Sequence, residues 1–317
     1  MKKRVLTAIV LLAVLIPAVY YGGVFFLAVG MFLSVVASYE MMSMFYKKGP
    51  ALKHFRYIVP AFSGLIVLVI YYAATRGLTP KLFNDSIIGS SDLISSLLYH
   101  FWVNIVFVSS IIICLGILVF TKSSTAHDMM AVIMTLVYCG LVMGYVISIG
   151  YLEPVGISDY IDNQIWGGRS MAYLFTVTMI TDTAAYIFGV KFGKHQLAPT
   201  ISPKKSVEGA IAGLVFGTLF GVISVFLFQM VKFTELATLW TKILVIGVVA
   251  LVSLILSGTV QLGDLVCSKL KRSYEIKDFG NIFPGHGGVL DRFDSFIFAG
   301  ATFYVIVQFM QLVILGA

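Results

Sequence analysis

The ionisable residues of this chain are few, and many of them crowd into one short stretch. Asp264, Ser268, Lys271, Arg272, Lys277, Asp278, His286, Asp291, Arg292 and Asp294 all fall between positions 264 and 294. On a helix, Asp264, Ser268 and Lys271 stand at i, i+4 and i+7, so one stripe offers a carboxylate, a hydroxyl and a cation in order. Pro284, Gly285, His286, Gly287 and Gly288 cannot continue as regular helix, and glycine amides free of side chains approach a phosphate closely. The next helix is expected to open near Asp291, with Asp291, Asp294 and Ser295 in its first turn. Read singly, Asp291 is a helix cap and His286 a loop histidine. Read together, carboxylates beside lysines and arginines suit Mg2+ held with a polyphosphate. No activated nucleophile is present, and no Cys or His set has zinc spacing. The chemistry implied is phosphoryl or nucleotidyl transfer, driven by positioning and charge neutralisation.

Two further clusters lie upstream. Asp182 interrupts an apolar run that also holds Thr178, Thr181, Thr183 and Tyr186. Thr178, Asp182 and Tyr186 share a helical face. A carboxylate there needs a cation or a donor, as a hydrogen bond between helices or as a metal or substrate ligand. The other cluster is the basic run from Gly189 to Gly209, with Lys191, Lys194, Ser202, Lys204, Lys205, Ser206 and Glu208. Lysines beside a helix start suit a phosphate, although an ordinary cytoplasmic loop has the same composition. It is no Walker loop, since His195 stands where Ser or Thr is required, and Ser206 with Glu208 is not a proper capping box.

The elements that must position these groups are membrane helices. Of 317 residues, 59% are hydrophobic and 12% charged, and mean hydropathy is +0.97. A soluble globule with so little charge cannot cover its exterior. Three cysteines exclude a disulfide framework, and the hydrophobicity excludes disorder. Segments of about 20 apolar residues occur near 5–21, 24–46, 57–75, 101–120, 129–149, 170–189, 209–230, 240–262 and 293–315. The first is read as a retained helix rather than a signal peptide, because no A-x-A site follows it. With the N-terminus in the cytoplasm, 17 of the 22 Lys and Arg fall inside, as the positive-inside rule requires. The net charge of +7 therefore does not argue for nucleic acid. The expectation is an all-α polytopic membrane protein of about nine transmembrane helices, N-terminus cytoplasmic and C-terminus outside. Residues 1–165 form an N-terminal scaffold of about five spans for lipid access, and 166–317 a catalytic region of about four spans. The loops 76–100 and 151–169 read as short outer caps. Gly209, Gly213, Gly217 and Gly221 recur every four residues, and Gly140 and Gly144 repeat that spacing. Such faces let helix backbones approach, within the bundle or between subunits.

The downstream cluster resembles the signature of the phosphatidate cytidylyltransferases, or CDP-diacylglycerol synthases. That pattern is S-x-x-K-R, then K-D, then P-x-H-G-G-x-x-D-R-x-D. It is matched by Ser268, Lys271, Arg272, Lys277, Asp278, Gly280 as the small residue two after K-D, Pro284, His286, Gly287, Gly288, Asp291, Arg292 and Asp294. The Asp182 helix and the run Ser202-Pro203-Lys204-Lys205-Ser206-Val207-Glu208-Gly209 are similar too, and Glu40 matches in the second span. The resemblance implies that CTP and phosphatidate give CDP-diacylglycerol and pyrophosphate, by direct attack of a lipid phosphate oxygen on the α-phosphorus. It implies metal ligation by Asp264 and Asp291, with Mg2+ as two divalent ions or one divalent ion and K+. Lys204, Lys205, Lys271, Arg272 and Lys277 would hold phosphates. Asp278 and Asp294 would support the ligands, and His286, Gly287 and Gly288 would shape the pyrophosphate pocket. Ser202, Ser206, Glu208, Ser268, Arg292 and Asp182 would face substrate. A homodimer in a bacterial inner membrane, active site to the cytoplasm, is expected from the family and the glycine faces. The rivals are another lipid-phosphate transferase and an ion-coupled transporter. The D-G-x-x-A-R run of CDP-alcohol phosphotransferases is absent, and no inverted repeat is visible.

Overall fold

A computed structural model describes residues 2–76, 92–152, 161–163, 167–234, 237–283 and 287–315. Most of the chain is helical. The helices are α1 (Lys2–Tyr21), α2 (Gly23–Tyr46), α3 (Phe55–Arg76), α4 (Asp92–Val119), α5 (Ala126–Thr135), α6 (Met143–Ser148), α7 (Gly167–Phe192), α8 (Val207–Leu227), α9 (Leu239–Ser273) and α10 (Leu290–Leu315). A π-helical turn, Leu136–Val142, joins α5 to α6 in one rod. Among the described residues, eight helical segments are long and apolar enough to cross a membrane. The chain is thus an all-α polytopic membrane protein. The expected segment at 5–21 is helical as α1. Of the outer loops, 77–91, 153–160 and 164–166 lie outside the described residues. Among the described residues there are also four short strands. β1 (Ile161–Asn163) pairs antiparallel with β4 (Val231–Phe233), and β2 (Gln196–Ala198) with β3 (Ser202–Ser206).

The chain divides into two compact units. The first comprises Met1–Tyr151 with Phe279–Leu290. Its helices meet through small polar residues, as helices do in a medium with no hydrophobic drive between them. Ser34 Oγ donates to the Cys139 carbonyl at 2.6 Å, an acceptor within the π turn where the regular ladder is interrupted. Ser38 and Ser63 hydroxyls pair at 3.1 Å. Gly140 lies against Ser63 and Ile66, and Gly144 against Ile70. α5 begins with a reciprocal cap in which Thr125 and Asp128 each bond the other's backbone amide.

The second unit comprises Leu152–Asp278 with Asp291–Ala317. α8 lies between α7 and α9, and its glycine stripe makes that possible. Gly209 meets Ala185 and Gly189, and Gly213 meets Thr181 and Gln261. Gly217 meets Thr181 and Ser257, and Gly221 meets Ser253 and Val177. Hydroxyl pairs bridge α7 to α9 beside the stripe: Tyr173 with Ser253 and Thr181 with Ser257, both at 2.9 Å. Ser257 Oγ and Gln261 Nε2 donate to the α8 carbonyls of Gly213 and Ala210, both at 3.1 Å. Both glycine faces are therefore used inside the chain. Of the two uses expected for these faces, the structure shows packing within the bundle.

A bulky residue at Gly217 must displace Ser257. Gly217→Val is expected to lower stability by about 1–3 kcal/mol, the usual cost of overpacking, and to lower the thermal midpoint in detergent. Gly247→Val, where a side chain meets nothing within 4 Å, should leave the midpoint unchanged.

Candidate active site

α9 carries chemistry because it does not stop where its apolar run ends. No breaker occurs before Ser273, and the helix closes at Tyr274, with Glu275 at φ +54°. Its last turn holds Lys271 and Arg272, cations favourable at a helix C-terminus. Lys271 Nζ donates to Asp291 Oδ1 at 2.8 Å, tying the end of α9 to the first turn of α10. The pair is well buried: the lysine side chain is 13% exposed and the aspartate 4%.

About two helical turns earlier, Asp264 takes two partners. Ser268 Oγ donates to its Oδ1 at 3.3 Å. Lys205 forms an ion pair with its other oxygen. Lys205 lies on β3, so the β2–β3 hairpin is held across α9, and Arg272 Nε adds a bond to the Ile201 carbonyl at 3.4 Å. The hairpin is fixed at its other end by α8. Ser206 caps that helix by accepting from the Gly209 amide at 3.2 Å. Glu208 accepts from the Lys194 amide at 3.0 Å, the His195 amide at 3.3 Å and His195 Nδ1 at 2.6 Å. Ser206 and Glu208 thus hold the hairpin in shape, while Lys204 beside them is exposed.

Asp182 approaches this cluster from α7 and stays accessible. The Ser295 hydroxyl bonds it, and Asp264, Asp294 and Lys205 lie within electrostatic reach. Asp294 Oδ1 also accepts from its neighbouring Ser295 amide at 2.8 Å. Three helices, α7, α9 and α10, and a hairpin therefore bring Asp182, Lys205, Asp264, Ser268, Lys271, Asp291 and Asp294 together. Lys277, Asp278 and Arg292 are exposed, and Ser202 is half-buried on β3. Gly287 and Gly288 belong to the other unit. His286, with Pro284 and Gly285, lies outside the described residues.

Several of these partners were not legible in the chain. Lys205 and Lys271, expected to hold phosphates, are each seated on an aspartate as well. The hairpin was read as a loop, since five residues of Ser, Pro and Lys carry no strand pattern. The His195–Glu208 bond spans 13 positions and leaves no local signature.

Asp182, Asp264 and Asp294 are hard oxygen donors that repel one another, so a divalent cation suits the space they share. Among the described residues no three His, Cys, Asp or Glu side chains stand close enough to hold a metal by themselves.

Clustered aspartates and lysines in an all-helical membrane protein suit the handling of phosphates by positioning and charge neutralisation. Known proteins narrow this. The sequence model of the Cytidylyltransferase family matches residues 2–310, so the chain belongs to that family. A phosphatidate cytidylyltransferase of Staphylococcus epidermidis is 30% identical over 305 residues, 94% of this chain and 95% of the relative. Those of Staphylococcus haemolyticus and Staphylococcus saprophyticus are 33% and 32% identical, with the same coverage.

The two lysine–aspartate pairs differ in burial, and so in what their loss costs. Lys271→Met strands a buried carboxylate and is expected to destabilise by about 3–5 kcal/mol. Lys205→Met breaks a pair whose side chains are 27% and 32% exposed, and should cost about 1 kcal/mol or less. Detergent unfolding of the two variants side by side checks the order.

Proposed function

We propose that this protein transfers the cytidylyl group of CTP to phosphatidate, giving CDP-diacylglycerol and pyrophosphate for phospholipid synthesis. The observation that supports the reading most directly is the seating of two aspartates on two lysines at the ends of apolar helices. That arrangement prepares carboxylates for a cation and ammonium groups for phosphates in one place. Sequence kinship to proteins named phosphatidate cytidylyltransferase supplies the substrates.

In this reading a phosphate oxygen of phosphatidate attacks the α-phosphorus of CTP. The new bond is the pyrophosphate linkage of CDP-diacylglycerol. The bond from the α-phosphorus to the bridging oxygen breaks, and pyrophosphate leaves with the electron pair. By the family resemblance Asp264 and Asp291 would hold Mg2+, which would supply charge neutralisation at the phosphates. A second divalent ion, or K+, accompanies it in this reading. Asp182 and Asp294 support those ligands, and Ser268 orients Asp264. Lys205 and Lys271 meet phosphate charge from beside the aspartates they now hold. Lys204, Arg272, Lys277 and Arg292 extend the positive surface toward CTP or the lipid headgroup, with Asp278 beside them. The family resemblance alone assigns Gly287, Gly288 and His286 to the pyrophosphate. Ser202, Ser206 and Glu208 act through the hairpin that carries the lysines. Positioning and electrostatics supply the rate, since no residue is placed to form a covalent intermediate.

The lipid headgroup reaches the site from the bilayer while its acyl chains stay among apolar helices, with the first five spans as scaffold. Lys and Arg asymmetry favours a cytoplasmic N-terminus, an outer C-terminus and a site facing the cytoplasm. The bacterial relatives favour a cytoplasmic membrane. A homodimer rests on the family resemblance alone.

Purified protein in detergent, given CTP, phosphatidate and Mg2+, is expected to release CDP-diacylglycerol and pyrophosphate. EDTA should abolish the reaction. Asp264→Asn and Asp291→Ala should each lower kcat by about 100-fold or more, the scale of the several kcal/mol that metal-assisted neutralisation supplies. Folded protein that makes no product from any lipid phosphate and nucleotide pair would sink this reading in favour of transport.

A further inference from the structure

The first unit contains a carboxylate that the transfer chemistry does not use. Glu40 lies in α2, six residues before that helix ends, and is 3% exposed. A charge so deep in an apolar helix requires compensation. Its compensation comes from backbone. The Val289 amide donates to Glu40 Oε1 at 3.0 Å, and the Leu290 amide to Oε2 at 3.1 Å. One carboxylate thus spans two consecutive N–H groups, one oxygen each.

Those two amides are special. α10 begins at Leu290. The first amides of a helix have no partner within it and carry the positive end of its dipole. Such groups are usually satisfied by a side chain just upstream, or by water. Here the residues upstream are Gly287, Gly288 and Val289, and none has a side-chain acceptor. Val289 and Leu290 are fully buried, so water does not serve. The cap is instead supplied from 249 positions away.

The surrounding chain is shaped for that carboxylate. Gly280 and Gly288 both pack against it so closely that a methyl on either would overlap its oxygens. The segment is closed by a bridge between Phe283 and Gly287, whose amide and carbonyl bond at 2.9 Å. Gly287 takes φ +84°, a conformation that suits glycine. Two glycines, a turn and two amides therefore converge on one side chain. Asp291 is the next residue after the second amide.

We propose that Glu40 is a positioning residue for cytidylyl transfer: a remote N-cap that sets Gly288 and the first peptide of α10, and through the chain the start of the helix that bears Asp291. It touches no substrate. Glutamine at this position keeps the size but not the function. Its amide nitrogen is a donor and faces a donor, so one of the two N–H groups loses its partner. The catalytic consequence rests on the transfer reading above, whereas the cap itself does not.

Amide hydrogen exchange on the whole protein in detergent, resolved at Val289 and Leu290, tests the cap directly. Slow exchange at both positions in the parent is expected, and fast exchange there would overturn the proposal, since uncapped first-turn amides exchange freely. Glu40→Gln is expected to lose that protection and to lower kcat at saturating CTP and phosphatidate about tenfold or more, with KM for CTP changed less than threefold. Parent-like kcat in folded Glu40→Gln would overturn the positioning role. Gly280→Ala attacks the same contact from the other side, and its effect on kcat should combine with that of Glu40→Gln less than additively. Full additivity would show that the glycine and the glutamate act separately, against the proposal. Where Glu40→Gln does not fold, parent exchange and Gly280→Ala decide. A parent that makes no product would instead remove the transfer reading and leave the exchange result standing.

Discussion

A charge placed in an apolar helix must be compensated where it stands, and the polar architecture of this protein is built around that constraint. Asp291 is compensated by Lys271, Asp264 by Lys205 and Ser268, and Asp182 by the Ser295 hydroxyl. Each compensation joins two elements. Lys271 joins α9 to α10, Lys205 joins the hairpin to α9, and Ser295 joins α10 to α7. The interactions that make these aspartates tolerable thus also fix the relative positions of the elements that bear them.

The same economy explains why the packing partners are so small. Oil-like surroundings provide no hydrophobic drive for helix association, so close backbone approach and hydroxyl bonds must supply it. The α8 glycine stripe lets α7 and α9 lie against one helix, and Ser253 and Ser257 are the α9 hydroxyls that meet it. The Asp264 turn of α9 continues that packed face, with Gly263 against the Asp294 carbonyl and Phe298.

The individual residues were legible to different degrees. The membrane class followed from hydropathy, and the span limits from segments of about 20 apolar residues. The stripe of Asp264, Ser268 and Lys271 followed from helical spacing, because α9 does run to Ser273. Asp182 stood out as a carboxylate in an apolar run. The hairpin over Gln196–Ser206 did not show, since a short exposed strand pair has no apolar alternation to betray it. The use of the glycine faces was ambiguous for a physical reason: a flat helix face is equally suited to an internal and an external neighbour.

What the sequence determined by itself was the inventory and its local order. Apolar segments long enough to span, charges gathered near their ends, and a dense run of carboxylates and cations together define the medium, the fold class and the type of chemistry. These are properties of composition and of separations of a few residues, which helical geometry converts directly into neighbours. Tertiary structure alone decided the pairings. Lys205 reaches Asp264 across 59 positions, Lys271 reaches Asp291 across 20, and Glu40 reaches the amides of Val289 and Leu290 across about 250. No local rule relates residues so far apart. Any of several basic residues could have met any of several acids, and only the packing of helix against helix, permitted by glycines at set places, brings each charge to one partner.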